Sequence, residues 1–253
     1  MTNTAEDAAL TDDWRAREAV ILLPTYNELE NIQAILEGIH SATPHVHVLV
    51  IDDGSPDGTA DVVRARMRYD EHVHLLEGRG KRGLARAYLA GFGWALARDY
   101  ERILEMDADF SHDPRHLPAM LAAAERADVV VGSRYVPGGG TVDWPWHRVL
   151  LSRLGSGYAR ALLNLPVRDA TAGFICYRRE ALEAIDLRAV EARGYLFQVE
   201  MKLLAHRAGL RFEEVPIVFR DRRYGSSKMS AAIAREALIG IPRLRRRERL
   251  AKR

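Results

Sequence analysis

Leu104-Glu105-Met106-Asp107-Ala108-Asp109-Phe110-Ser111 is a short run built around a pair of aspartates. Ile103-Leu104 lead in as the end of a buried strand, and the run then breaks into an acidic tip and a turn. In extended backbone, residues i and i+2 point to the same side, so the carboxylates of Asp107 and Asp109 can face one point. Two such carboxylates repel each other unless a divalent cation lies beside them. A solvated acidic turn is the competing reading, because aspartate is common at turns.

On both sides of this tip, strands and helices alternate. Ala19 to Leu23 is an apolar run closed by Pro24 and reads as a buried parallel strand. A helix is expected from Leu29 to about His40, with Ile32, Ile35, Leu36 and Ile39 at helical spacing. A second strand covers 46–51 and opens into the turn cluster Asp52-Asp53-Gly54-Ser55-Pro56-Asp57-Gly58-Thr59, where Asp57 or Thr59 can cap the next helix. Short strands follow at 73–76, 102–106 and 129–131, separated by helices over 84–98 and 113–126; Asp113 caps the latter and Pro114 takes its first position. Beyond Tyr135 the pattern becomes irregular. It resumes as a helix over 148–163, a strand near Ile175, a helix over 198–208 and one strand over 212–219. This alternation predicts an α/β fold with a central, mostly parallel sheet flanked by helices. Ligands of such sheets bind at the carboxyl ends of the strands, where the loops 24–28, 52–58, 78–83, 107–111 and 132–135 would converge.

The 253 residues suffice for one large domain, and 47% hydrophobic with 28% charged residues is the balance of a globular chain. The net charge of +2 rules out a nucleic-acid polycation, although seven of the eleven residues from Arg243 to Arg253 are Arg or Lys. The single cysteine, Cys176, excludes an intrachain disulfide and reads as a small buried hydrophobe. No apolar run approaches the length of a membrane span. The polar start lacks the features of a signal peptide, so a cytoplasmic protein is expected.

The glycine loop Gly78 to Gly83 has neither the dinucleotide spacing nor the P-loop ending and reads as a structural turn. Asp52, at the end of its strand, can accept hydrogen bonds from a base or ribose, whereas Asp53 and Asp57 fit turn roles. Arg134, Arg222 and Lys228 sit on loops that can oppose an acidic metal site, an arrangement suited to a diphosphate.

Six ordered stretches carry a resemblance. They are Pro24-Thr25-Tyr26-Asn27-Glu28, Ile51 through Thr59, Asp107-Ala108-Asp109-Phe110-Ser111-His112, Gly132-Ser133-Arg134-Tyr135, Tyr195 through Met201, and Asp221 through Lys228. Together, over about residues 20–235, the chain resembles the dolichol-phosphate and polyprenol-phosphate mannosyltransferases, family 2 glycosyltransferases of GT-A fold. The resemblance implies GDP-mannose as donor, a polyprenyl monophosphate as acceptor, and Mg2+ or Mn2+. By motif, Pro24, Tyr26, Glu28, Val50 and Asp52 would line the nucleotide pocket. Asp107, Ala108, Asp109 and Ser111 would hold metal and donor phosphates, with Asp107, Asp109 and Ser111 as the metal set. Some relatives carry Gln where Ser111 stands, so Ser111 would reach a metal only through water. Arg134, Arg222 and Lys228 would meet donor or acceptor phosphate, and together with Asp109 form the expected catalytic set.

An acceptor phosphate monoester is largely dianionic at neutral pH and needs no general base, and none is evident in a matching loop. Direct attack would invert the anomeric centre. The expected organisation is a disordered leader over 1–18, a GT-A catalytic domain over 19–228 and a basic helical tail over 229–253, broken near Gly240-Ile241-Pro242. That tail mixes Ile233, Leu238, Ile239, Ile241 and Leu244 with arginines and suits an anionic membrane surface; a solvated basic tail explains it equally. The expected placement is peripheral, on the cytoplasmic face of a membrane, reached directly or through a separate integral membrane partner. The alternatives are a UDP-glucose or UDP-N-acetylhexosamine donor on the same lipid class, and a catalytically silent nucleotide-sugar-binding scaffold. Nucleic-acid binding is set aside because the tail lacks interleaved aromatic residues.

Overall fold

The computed structural model describes residues 18–78, 80, 83–192, 194–221 and 238–247. Five consecutive apolar residues begin β1 (Ala19–Thr25), and all five are buried because the strand lies inside the sheet with helices on both faces. β1 runs through Pro24 rather than stopping before it. β4 (Arg102–Glu105) pairs with β1 only from Ala19 to Leu22, so the missing Pro24 N–H falls beyond the end of β4 and no ladder bond is lost.

The helices and strands then alternate as α1 (Leu29–Ala42), β2 (His47–Asp52), α2 (Thr59–Arg66), β3 (Val73–Glu77) and α3 (Leu84–Leu96). After β4 come a 3-10 turn (Pro114–His116), α4 (Leu117–Ala123), β5 (Val129–Ser133), β6 (Gly140–Val142) and α5 (Trp146–Leu163). The chain continues through β7 (Ile175–Arg178), α6 (Arg179–Ala184), a 3-10 turn (Leu187–Ala189), α7 (Tyr195–Arg207), β8 (Phe212–Pro216) and β9 (Val218–Arg220). Residues 238–247 form a helix, α8.

The main sheet has the order β3-β2-β1-β4-β7-β5-β8. It is parallel except for β7, which lies antiparallel between β4 and β5. The expected mostly parallel α/β sheet is therefore present, with one consequence that local pattern does not show. Because β7 runs backwards, the segment before it, 164–174, arrives at the same edge as the loops that leave the parallel strands. One face of the sheet packs Tyr88, Phe92, Leu163, Tyr177 and Phe197. The other packs Ile32, Ile35, Leu36 and Ile39 of α1 with Leu117, Met120 and Leu121 of α4. Cys176 is buried as expected, and burial pushes its thiol up to about 12.

Two expectations are corrected. The single strand over 212–219 is two strands in two sheets. Ile217 donates to the Ser133 carbonyl, while its own carbonyl accepts from Gly140 N–H, so the chain changes partner from β5 to β6 at that residue. The helix over 238–247 also continues through Gly240 and Pro242. Ile241 and Leu244, three apart, are buried in the core and hold it there, and a Cβ at Gly240 would strike Leu196. Among the described residues no helix is long and apolar enough to cross a membrane.

Candidate active site

The loops after β1 and β2 are locked together by side chains. Asn27 N–H donates to Ser55 Oγ at 3.0 Å, Glu28 N–H to Thr59 Oγ1 at 3.1 Å and Leu29 N–H to Asp57 Oδ2 at 3.1 Å. Asp57 also accepts from Thr59 N–H and its hydroxyl at the entrance to α2. Burial works to raise the Asp57 carboxyl, but these hydrogen bonds outweigh it and hold the group below its ordinary value. Asn27 turns the chain at φ 60°. Pro24, Tyr26 and Glu28 all lie on this first loop, with Tyr26 exposed and Glu28 Oε2 accepting from the Asn31 amide.

Asp52 holds the turn, a role expected of Asp53 and Asp57. Its carboxylate is buried and accepts from Thr25 Oγ1 (3.0 Å), Ser55 Oγ (2.6 Å), Gly54 N–H (3.0 Å) and Ser55 N–H (2.8 Å). Two carboxylate oxygens with four donors form a closed Asx turn. Asp53 instead accepts from Gly83 N–H at 2.9 Å, and Gly78 N–H donates to the Asp52 carbonyl. The glycine loop is thus tied back to the second loop, in keeping with its structural reading. The Val50 side chain is enclosed in the core on β2, two residues before Asp52.

The acidic tip leaves the sheet earlier than extended geometry requires. β4 ends at Glu105 and the chain bends from 108 to 112. Ala108 is buried in the core and pins the tip; Asp107 stays about a third exposed, while Asp109 is buried and its Oδ1 accepts from Ser111 N–H at 3.0 Å. The return is made by Phe110 at φ 62°, a conformation uncommon for an aromatic residue and typical of functional turns. Ser111 is buried, and its carbonyl accepts from Arg220 N–H.

His112, quoted in the motif but given no role there, fixes the tip. Its ring is stacked on Phe174 and its Nδ1 accepts from Asp107 N–H at 3.1 Å. Burial pushes the imidazole down to about 4, against the pull of Asp109, so the ring is neutral and its proton sits on Nε2.

Arg134 does not stand as an open phosphate-binding cation. It is buried and paired with Asp169, Nε to Oδ2 at 2.7 Å and Nη2 to Oδ1 at 2.7 Å, and its own N–H donates to Oδ2 at 3.1 Å. A guanidinium at this depth requires such a partner. Burial alone would raise the Asp169 carboxyl, but the charge and hydrogen bonds of Arg134 hold it below its ordinary value. The rings of Tyr135, Trp144 and Phe219 surround the guanidinium at 5.1, 5.6 and 5.5 Å. Beside it, Trp144 Nε1 and Arg148 Nε are buried donors without a hydrogen-bond partner among the described residues. Arg222 and Lys228 lie outside the described residues.

Beneath the tip, sequence reasoning missed a second polar layer. Glu105 is fully buried and accepts from Gln198 Nε2, and buried Lys202 donates to the carbonyls of Ala172 and Gln198. Burial raises the carboxyl and lowers the amine, each toward its neutral form. Glu105 and Lys202 stand in apolar strand and helix patterns, and the only available signal was a charged residue at a core position.

Comparison with known proteins fits this arrangement. The family model for glycosyl transferase family 2 matches residues 20–186. A polyprenol monophosphomannose synthase of Mycolicibacterium smegmatis is 46% identical over 227 residues, covering 89% of this chain and 86% of that protein. An undecaprenyl-phosphate mannosyltransferase of Micrococcus luteus is 48% identical over 222 residues, covering 88% of this chain and 91% of that one. Among solved structures, glucosyl-3-phosphoglycerate synthase of Mycobacterium tuberculosis, in complex with Mn2+, UDP-glucose and phosphoglyceric acid, aligns with a TM-score of 0.67 at 15% identity, covering 97% of this chain and 85% of that one. A mannosyltransferase of Pyrobaculum calidifontis in complex with GDP-mannose and Mn2+ aligns with a TM-score of 0.56 at 18% identity, covering 94% and 65%. At such identities the structural likeness speaks for the fold, which is the GT-A arrangement expected from the motifs. The ordered motifs, the matched family model and the two relatives aligned over most of their length agree, and the chain belongs to glycosyl transferase family 2.

Proposed function

We propose that this protein transfers mannose from GDP-mannose to a polyprenyl monophosphate of the dolichyl type, with inversion. The observation that carries the reading is the acidic tip at the carboxyl edge of the sheet. The interlocked loops after β1 and β2 stand on one side of it and the Arg134 cluster on the other. The relatives at 46% and 48% identity, both named for mannose transfer to a polyprenyl phosphate, support the choice of sugar and acceptor.

Asp107 and Asp109 would hold the cation, Mg2+ or Mn2+. Both offer hard oxygen donors, and among the described residues no group of three His, Cys, Asp or Glu forms a closed cage. A site with few protein ligands suits an ion that keeps water and shares the oxygens of a diphosphate. When bound, the ion supplies charge neutralisation to the departing nucleoside diphosphate. Ser111, deep under the tip, shapes the loop through its backbone and would reach the ion only through water. Pro24, Tyr26, Glu28 and the turn built on Asp52 would face the nucleotide.

The acceptor phosphate brings its own negative charge, so the residues need only position it. His112 is not its base, because its Nδ1 lone pair is committed to Asp107 N–H. Trp144 Nε1–H and Arg148 Nε–H, buried donors without a partner among the described residues, provide the donors for that phosphate, and Arg134, held by Asp169, orders the Trp144 ring beside them. Arg222 and Lys228 complete the set in this proposal.

A donor panel tests the reading. Radiolabelled GDP-mannose, UDP-glucose and UDP-N-acetylglucosamine are each incubated with polyprenyl phosphate, Mn2+ and the protein. Label is expected in the lipid fraction from GDP-mannose alone. Transfer from a UDP-sugar instead would overturn the donor, and no transfer from any donor would favour a non-catalytic scaffold.

A further inference from the structure

Helix α5 has two faces of opposite character. Ser156, Ala159 and Leu163 are buried against the core. On the other side Trp146 (77% exposed), Leu150 (49%) and Leu154 (61%) recur every four residues as one stripe, with Leu151 (48%) beside it. Large apolar side chains gathered in this way mark an interaction surface. The helix contains Arg148, Arg153, Arg160 and His147 and not one Asp or Glu, in a chain with 35 acidic residues. Arg153 and Arg160 are exposed.

The same helix also builds the site. Tyr135 donates its hydroxyl to Ser152 Oγ at 2.6 Å, Arg148 reaches Asp221 at 2.9 Å and stacks on Trp144, and Ser156 lies 3.0 Å from Thr171 Oγ1 within the Arg134–Asp169 cluster.

We infer that the outer face of α5 is a docking surface for an anionic lipid bilayer, with the helix lying in the interface plane. The apolar stripe enters the headgroup region while Arg153 and Arg160 meet lipid phosphates. Two features select this occupant over a protein: the all-basic charge of the helix, and its continuity with the cluster that would receive a lipid-borne phosphate. The second argument rests on the proposed function; the first does not. The hydrocarbon tail of such an acceptor stays in the membrane, so its phosphate must arrive from the membrane plane, beside α5. In the described part of the basic tail, Ile241 and Leu244 of α8 are spent in the core and Arg247 is paired with Glu200 and Glu191, while Leu238 and Ile239 stay exposed.

The experiment uses the full chain with vesicles of phosphatidylcholine alone or containing one third phosphatidylglycerol, in flotation assays. Wild type should float with the anionic vesicles. The double variant Leu150→Ser/Leu154→Ser, with an unchanged circular dichroism spectrum, should lose about tenfold or more in partitioning, from the lost burial of two leucines. Brominated lipid should quench tryptophan fluorescence in wild type and do so much less in Trp146→Phe. The double variant should keep transfer to a short-chain, water-soluble prenyl phosphate while losing transfer to vesicle-borne acceptor. Equal flotation of the double variant, or quenching unaffected by Trp146→Phe, would overturn the inference. So would a wild-type dimer in sedimentation that the double variant dissociates, because the stripe would then be covered by a second copy. If wild type transfers to neither acceptor, the proposed function fails, and flotation still decides the docking surface.

Discussion

Replacing Asp169 with Asn removes one charge from a pair that is almost wholly enclosed, with the Arg134 side chain 8% and the Asp169 side chain 0% exposed. The isosteric amide cannot satisfy the guanidinium. Oδ2 accepts from Arg134 N–H and Nε while Oδ1 accepts from Nη2, so an Asn NH2 in either orientation points hydrogens at a donor. Breaking a buried pair from one side costs about 3–5 kcal/mol, because the remaining charge is stranded. Set against a typical folding free energy of about 5–15 kcal/mol, this is a large share. It corresponds to a fall in Tm of roughly 6–20 °C for a chain of this length. The measurement is urea unfolding by circular dichroism, read as a shift in midpoint at constant slope, with calorimetry as a second probe. The double variant Arg134→Met/Asp169→Leu should recover most of the loss, since two apolar groups strand no charge, yet remain inactive toward the acceptor. The pH dependence has a definite sign. The folded pKa of Asp169 is depressed, so its stabilisation is present above the unfolded value of about 3.9 and is lost as pH falls through the folded value. A loss under about 1 kcal/mol in Asp169→Asn, or a double variant no more stable than the single one, would refute the reasoning.

Asp109→Ala should abolish transfer in the presence of Mn2+ while leaving the far-ultraviolet spectrum intact, and chelation of wild type should have the same effect; retained turnover would remove the metal assignment. Gly139→Ala should destabilise by about 1–3 kcal/mol, because its methyl would come within 2.5 Å of the Ser133 carbonyl, which already accepts from Ile217 N–H; an unchanged melt would show that the loop can yield. At the amino edge of the sheet His47 Nδ1 lies 2.8 Å from His74 Nε2 and 3.0 Å from the Tyr100 hydroxyl. Burial lowers the pKa of both His40 and His74, with Arg98 and His72 adding to the effect at His74 against Asp70. Their folded values lie below the unfolded value of about 6.5, so stability should fall as pH drops below that point. His74→Gln should flatten the slope of Tm against pH, and an equally steep slope in the variant would exclude this residue as a source.

Elements with strong local signals were legible in the residues alone. Ile32, Ile35, Leu36 and Ile39 at helical spacing, the unbroken apolar run of β1, and the Asp113-Pro114 start all formed where the pattern placed them, because each signal is a property of neighbouring residues. The acidic tip and its family resemblance were legible for the same reason, being short, ordered strings of residues. Tertiary structure alone decided what those residues face. The reversed direction of β7 is a pairing between segments some seventy residues apart, and it brings Asp169 onto Arg134, turning an expected open cation into a buried ion pair. Asp52 became the closed turn because the loops after β1 and β2 lock to each other, and Val50 a core residue because its side of β2 packs against α1. The divided face of α5 was equally hidden, since Leu150 and Leu163 look alike in sequence. Only packing against the Arg134–Asp169 cluster and the core beneath it fixes which leucine turns inward and which is left at the surface.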